Sequence, residues 1–189
     1  LKTFKIKEED DAINSRVPLF FNSDLIISIS HINKNMEYFY RNGHFDELLY
    51  VQYGKGVINT NLGDLCFKEG DYVVIPRGVI WQLNIDEKCK ILVVESNQPI
   101  ETPGKYRNKF GQLLEGAPYC ERDILTPNLK EPINEQGEFL VKVRVKKGMQ
   151  NYIYQYHPFD VVGWGGYYFP WIFNISNFEP IVGLIHQPP

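Results

Sequence analysis

An antiparallel all-β domain is what the sequence predicts, and three observations carry that prediction. Twelve Tyr, twelve Phe and three Trp in 189 residues enrich the chain in types that suit a pleated, half-buried surface. Fifteen Gly and twelve Pro interrupt it too often for long helices. Apolar and polar residues alternate over short runs set between close turns, the pattern of an antiparallel sandwich or small barrel.

In chain order, the first organised stretch is Asp24 to Ile32, with Leu25, Ile27 and Ile29 on one strand face and Ile26, Ser28 and Ser30 on the other. Short strands follow at Tyr38 to Tyr40, Leu48 to Tyr53, Gly56 to Thr60, Leu65 to Phe67, Tyr72 to Ile75, Trp81 to Ile85 and Ile91 to Glu95. Turn residues separate them at Asn42-Gly43, Gly54, Asn61-Leu62-Gly63, Glu69-Gly70, Pro76-Arg77-Gly78 and Asp86-Glu87. Residues 97–138 carry Pro99, Pro103, Pro118, Pro127 and Pro132, so they read as a long connection with one short helix near Asn108 to Glu115. Two longer strands close the pattern, Glu138 to Lys146 and Gln150 to Tyr156, with a hairpin turn at Lys147-Gly148-Met149. Lys142, Arg144 and Lys146 read as a solvated strand face, and Glu8 to Asp11 as a solvated N-terminal surface.

Composition narrows the function. Lys+Arg 20 against Asp+Glu 23 leaves a net charge of −3, so no basic field points to nucleic acid or to anionic lipid. No apolar run is long enough to span a bilayer, and the chain is expected to be soluble and to have no membrane partner. Cys66, Cys89 and Cys120 form neither a paired framework nor a zinc spacing, which predicts a reducing cytoplasm. A start at Leu1 without a secretory signal and a finish on Pro188-Pro189 suggest a segment of a longer protein. No Ser-His-Asp spacing, phosphate-cradling loop or HExxH motif supports a hydrolase, kinase or zinc-peptidase reading.

Two spacings are more specific than strand periodicity. Glu47 and Gly54 frame one, and Gly70, Pro76 and Gly78 frame the other; Gly54 and Gly78 suit positive φ, while Pro76 ends a strand. Together they resemble the paired signatures of the cupin superfamily, which implies a jelly-roll β-sandwich that often holds a metal. The metal part of the resemblance fails. Where the family places its His pair this chain has Tyr40-Arg41-Asn42-Gly43, and where it places a further His this chain has Trp81, whose N–H only donates. His44, Asp46 and Glu47 fall short of two His and a carboxylate. His44 and Asp46 therefore read as turn residues, and Glu47 as a strand-end carboxylate paired to a basic neighbour. His31 and His157 read as structural. His186 stands apart, in a Gly-Leu-Ile-His-Gln-Pro-Pro end beside an aromatic-rich segment.

The order of residues from His157 to Pro180, with Gly163-Trp164-Gly165-Gly166 and Phe169-Pro170-Trp171, is too particular for a generic aromatic core. With Gly111 to Glu115, Pro118 to Asp123, Tyr40 to Asn42 and Gly70 to Gly78, it resembles the homogentisate 1,2-dioxygenase family over most of residues 36–189. The resemblance implies the first, metal-free half of a bicupin. Residues 1–96 would form a metal-free cupin-like sandwich, 97–138 a connection, and 139–189 further strands leading to a missing second cupin. It implies Fe(II), held by residues beyond Pro189, and homogentisate and O2 as substrates, with maleylacetoacetate as product in tyrosine and phenylalanine breakdown. It also implies a homo-oligomer, trimer or hexamer, and an acid/base or substrate-orienting histidine near the position of His186. No metal or cofactor ligand is expected within this segment. The competing expectations are a non-catalytic binding or assembly module and a dioxygenase for another hydroxylated aromatic acid.

Overall fold

The computed structural model describes residues 3–6 and 9–179, so His186 and the end of the chain lie outside the described residues. Fourteen strands are described: β1 (Glu9–Asp10), β2 (Arg16–Phe21), β3 (Leu25–Ile32), β4 (Phe39–Asn42), β5 (Asp46–Tyr53), β6 (Gly56–Thr60), β7 (Gly63–Phe67), β8 (Asp71–Ile75), β9 (Ile80–Ile85), β10 (Cys89–Ser96), β11 (Ile124–Leu125), β12 (Gln136–Val145), β13 (Gly148–Tyr156) and β14 (Trp171–Asn174). They form two sheets, β1-β3-β10-β5-β8-β14-β11 with β2 also on β3, and β13-β12-β4-β9-β6-β7.

Apart from the β6–β7 hairpin, strands β3 to β10 alternate between the sheets, so that β3-β10-β5-β8 faces β4-β9-β6-β7, the two Greek keys of a jelly roll. The all-β cupin-like sandwich expected from the sequence is therefore the fold. Later strands build onto this body: β14 pairs β8 and β11 pairs β14 in one sheet, while β12 pairs β4 in parallel and β13 closes the other edge.

Period-2 alternation sets the core. Leu49 and Val51 of β5, Val73 and Ile75 of β8, and Ile91 and Val93 of β10 meet Tyr40, Ile58, Leu65, Trp81 and Leu83 from the opposite sheet. A smaller cluster of Phe39, Ile80, Val141 and Val143 lies on the outer side of the second sheet. The turns fall where the glycines are: Gly54 has φ +94° and Gly78 φ +88°, and the Gly78 N–H donates to Asn42 O at 2.7 Å.

Several expectations differ from the structure. No helix forms near Asn108 to Glu115, because the Asn108 side chain accepts from the N–H groups of Phe110 and Gln112 and Gly111 takes φ +85°; both favour a turn. Short 3₁₀ turns occur instead at Gly104–Tyr106 and Glu121–Asp123. The acidic N-terminus is not all solvated: Asp11 is 6% exposed and accepts from Ile13 N, Asn14 N and the Tyr38 hydroxyl. Strand β2 escaped the pattern reading because Pro18 interrupts it, which an edge strand with a register shift tolerates. Finally, of the basic face expected on β12 only Lys146, just past its end, is exposed: the Lys142 ammonium lies 3.5 Å from the centroid of the Tyr38 ring, and Arg144 reaches Glu95.

Candidate functional site

The three residues that stand where a cupin would hold a metal do converge. Tyr40 and Trp81 are register partners on β4 and β9, with rings 5.1 Å apart edge to face. Opposite them, Glu47 is the second residue of β5 and fully buried. The Trp81 indole donates to Glu47 Oε2 at 3.2 Å, and the Tyr40 hydroxyl donates to Glu47 Oε1 at 3.4 Å. The turn before β5 fixes this phase, since Asn42 Oδ1 accepts from the N–H groups of His44 and Phe45.

A basic residue completes the group, as expected for Glu47, but it comes from the weakly patterned N-terminus. Arg16, the first residue of β2, places Nη1 2.6 Å from Glu47 Oε1 and 3.9 Å from Glu95 Oε1. Its Nε donates to Ala12 O at 3.0 Å, and its guanidinium carbon lies 5.6 Å from the Tyr40 ring centroid. Glu95 accepts from Asn42 Nδ2 at 2.9 Å and has Arg144 Nε 3.5 Å away. Burial alone would loosen the Arg16 proton, but Glu47, Tyr40 and Glu95 outweigh it and its pKa is raised. Burial, reinforced by Glu47, also holds the Tyr40 phenol well above its ordinary range, so that it stays a donor.

This set does not fit a metal. An indole N–H and a protonated phenol offer no electron pair suited to Fe(II), and the Glu47 oxygen is already held by a guanidinium. Among the described residues no cluster of three or more His, Cys, Asp or Glu side chains could hold an ion. What the arrangement does is neutralise buried carboxylates and tie β2, β5, β10 and β12 together.

The other singled-out residues scatter. His44 packs edge-on against Phe45. Asp46 is not a turn residue: it opens β5, is 5% exposed, and accepts from Arg77 N, Arg77 Nε and Ile100 N. His31 lies near the end of β3. His157 sits edge-on against Phe39, Phe139 and Phe159, and its Nδ1 accepts from Phe159 N. It also lines a cavity of about 220 Å³ with Asn59, Gln82 and Lys130. A second cavity, about 370 Å³, is walled by Tyr72, Tyr119, Trp171 and Phe173 on the outer side of the first sheet.

Sequence reasoning missed Arg16, Asn42, Glu95 and Arg144 as one group. A signal for Glu95 was present: it continues the inward phase of Cys89, Ile91 and Val93, where a carboxylate needs a partner. Arg16 carried none, because only the tertiary pairing of β2 with β3 brings it here.

Residues 13–175 match the family model described as homogentisate 1,2-dioxygenase N-terminal. A candidate dioxygenase of Saccharolobus solfataricus is 40% identical over 190 residues, covering 100% of this chain and 49% of that protein. A homogentisate 1,2-dioxygenase of Legionella pneumophila is 27% identical over 169 residues, 84% of this chain and 38% of that one. Among solved structures, a cupin-2 domain containing protein from Shewanella frigidimarina aligns with 43% of this chain and 79% of its own, at 22% identity and a TM-score of 0.40. The chain thus spans half or less of the length of these curated relatives.

Proposed function

Because the chain belongs to the homogentisate 1,2-dioxygenase N-terminal family over residues 13–175, we propose that it is the first, metal-free half of an enzyme that opens the aromatic ring of homogentisate with O2. The observation that carries this reading is the family match across the sandwich and its added strands. The chain is a segment of a dioxygenase-family protein, and homogentisate as the substrate is supported by the Legionella pneumophila relative named for it. In this reading the product is maleylacetoacetate and the pathway is tyrosine and phenylalanine breakdown. Fe(II) belongs to residues beyond Pro189, since Tyr40, Trp81 and the Arg16-bound Glu47 are unsuited to it. This half acts as scaffold and as part of the pocket wall.

The cytoplasm suits the three free thiols Cys66, Cys89 and Cys120. A homo-oligomer, trimer or hexamer, would cover apolar surface such as Tyr167, 98% exposed, and Tyr168, 56% exposed. Among the described residues no helix is long and apolar enough to cross a membrane. Nucleic acid is not a proposed partner at a net charge of −3.

One observation favours a second reading: the relative that is 40% identical carries a dioxygenase name without a substrate, so another hydroxylated aromatic acid is the competing one. Oxygen uptake by the full-length polypeptide, with homogentisate and separately with other hydroxylated aromatic acids, tests both. Turnover of homogentisate with one O2 consumed per ring is the expected result. Turnover only with a different acid selects the second reading, and no uptake with any leaves a non-catalytic module.

A further inference from the structure

Glu47 and Glu95 are direct register partners on the neighbouring strands β5 and β10, and both point into the sandwich. Their exposures are 0% and 2%. Two carboxylates directly opposite one another repel, and burial removes the water that would screen them. A cation between them is what makes the pairing tolerable, and in this chain the Arg16 guanidinium supplies it, with Nη1 2.6 Å from Glu47 and 3.9 Å from Glu95. Arg144 also approaches Glu95, from the other sheet, with Nε 3.5 Å away; neither guanidinium hydrogen-bonds Glu95, and of the two only Arg16 also reaches Glu47.

The guanidinium is held by charge more than by a complete set of hydrogen bonds. Nε and Nη1 have acceptors, whereas the buried Nη2 has none. That is unusual for a buried Arg, whose planar fork normally satisfies several donors at once. Glu47 also sits between Tyr40 and Trp81, the positions from which a metal-loaded sandwich would reach its ion.

We propose that Arg16 is the resident cation of this sandwich, standing in for a metal between Glu47 and Glu95, and that a chain lacking its side chain takes up a free guanidinium-class cation at the same place. The N-terminal strand thereby acts as a tethered ligand, since pairing of β2 with β3 places Arg16 opposite Ser30 on the inward face.

Thermal melts of the 189-residue chain test this with methylguanidinium as the probe, against sodium at matched ionic strength. Arg16→Ala is expected to melt about 10 °C below the parent chain, because it leaves buried Glu47 without its cation and takes away one of the two cations near Glu95. Methylguanidinium in the millimolar range should raise that midpoint saturably, and should leave the parent chain and Arg16→Ala/Glu47→Gln unmoved. Equal shifts in all three, or none in Arg16→Ala, overturn the proposal. If Arg16→Ala does not fold, Arg16→Lys and Arg16→Met decide the matter: Lys keeps the charge and should melt well above Met, while a Met variant as stable as the Lys variant overturns the resident-cation role.

Discussion

At the scale of single residues, histidines give the clearest consequences. Burial among Phe39, Phe139 and Phe159 lowers the His157 pKa, and the nearby Glu135 and Asp160 do not reverse it. The neutral ring is therefore the folded form, and its Nδ1 accepts from Phe159 N. The unfolded state takes up a proton first as pH falls, so this contribution to stability is fully present above the ordinary value of 6.5 and is lost as pH drops through the lowered one. His157→Asn keeps an acceptor and cannot titrate, so its melting midpoint should fall less than that of the parent chain between neutral pH and pH 5. Parallel curves would show that His157 is not a titrating contributor. For His186, outside the described residues, an acid/base or substrate-orienting role in homogentisate ring opening is a proposal. In the full-length enzyme, His186→Gln should lower kcat by roughly 10²–10⁴-fold at unchanged Tm if this imidazole moves the substrate's proton. Near-normal turnover would place that histidine beyond Pro189.

At the scale of elements, the glycines that punctuate the strands are not equivalent. Gly54, between β5 and β6, combines φ +94° with backbone so close that an added Cβ would lie 2.6 Å from Lys88 O and 2.9 Å from Cys89 Cα. Gly148, at the start of β13, has φ +138° but nothing within 4 Å. Gly54→Ala therefore faces both left-handed strain and a backbone clash, and should cost about 2 kcal/mol or more, read as a lower urea midpoint at unchanged m. Gly148→Ala should cost less, since only the conformational part applies. If the two substitutions cost the same, the close approach of the β5–β6 turn to Lys88 and Cys89 has no energetic weight. Elsewhere a single carboxylate joins distant elements: Asp46 at the start of β5 holds the Pro76-Arg77-Gly78 turn and the Ile100 backbone together.

At the scale of the whole molecule, the 189-residue chain made alone should bind no stoichiometric Fe(II) and cleave no homogentisate, because Glu47 is committed to Arg16 and flanked by two donors. Metal analysis after anaerobic loading checks this, and one tightly held iron per chain would show the assignment of the metal to later residues to be wrong. By itself the sequence determined an antiparallel sandwich or small barrel, which the resemblance to cupins narrowed to a jelly roll, because side-chain alternation and turn residues are local: β3 and β5 to β10 begin and end within a few residues of where pattern and glycines put them. It also determined that Tyr40 and Trp81 cannot serve as His ligands, which is a matter of residue chemistry alone. Only the tertiary structure decided what stands there instead. Arg16 lies on an edge strand broken by Pro18, and Arg144 lies 49 residues beyond Glu95 on a strand whose inward phase is set by parallel pairing with β4. Neither has a local pattern that reveals its direction. A buried carboxylate announces in sequence that it needs a partner, but which cation meets it is settled by the long-range packing of strands.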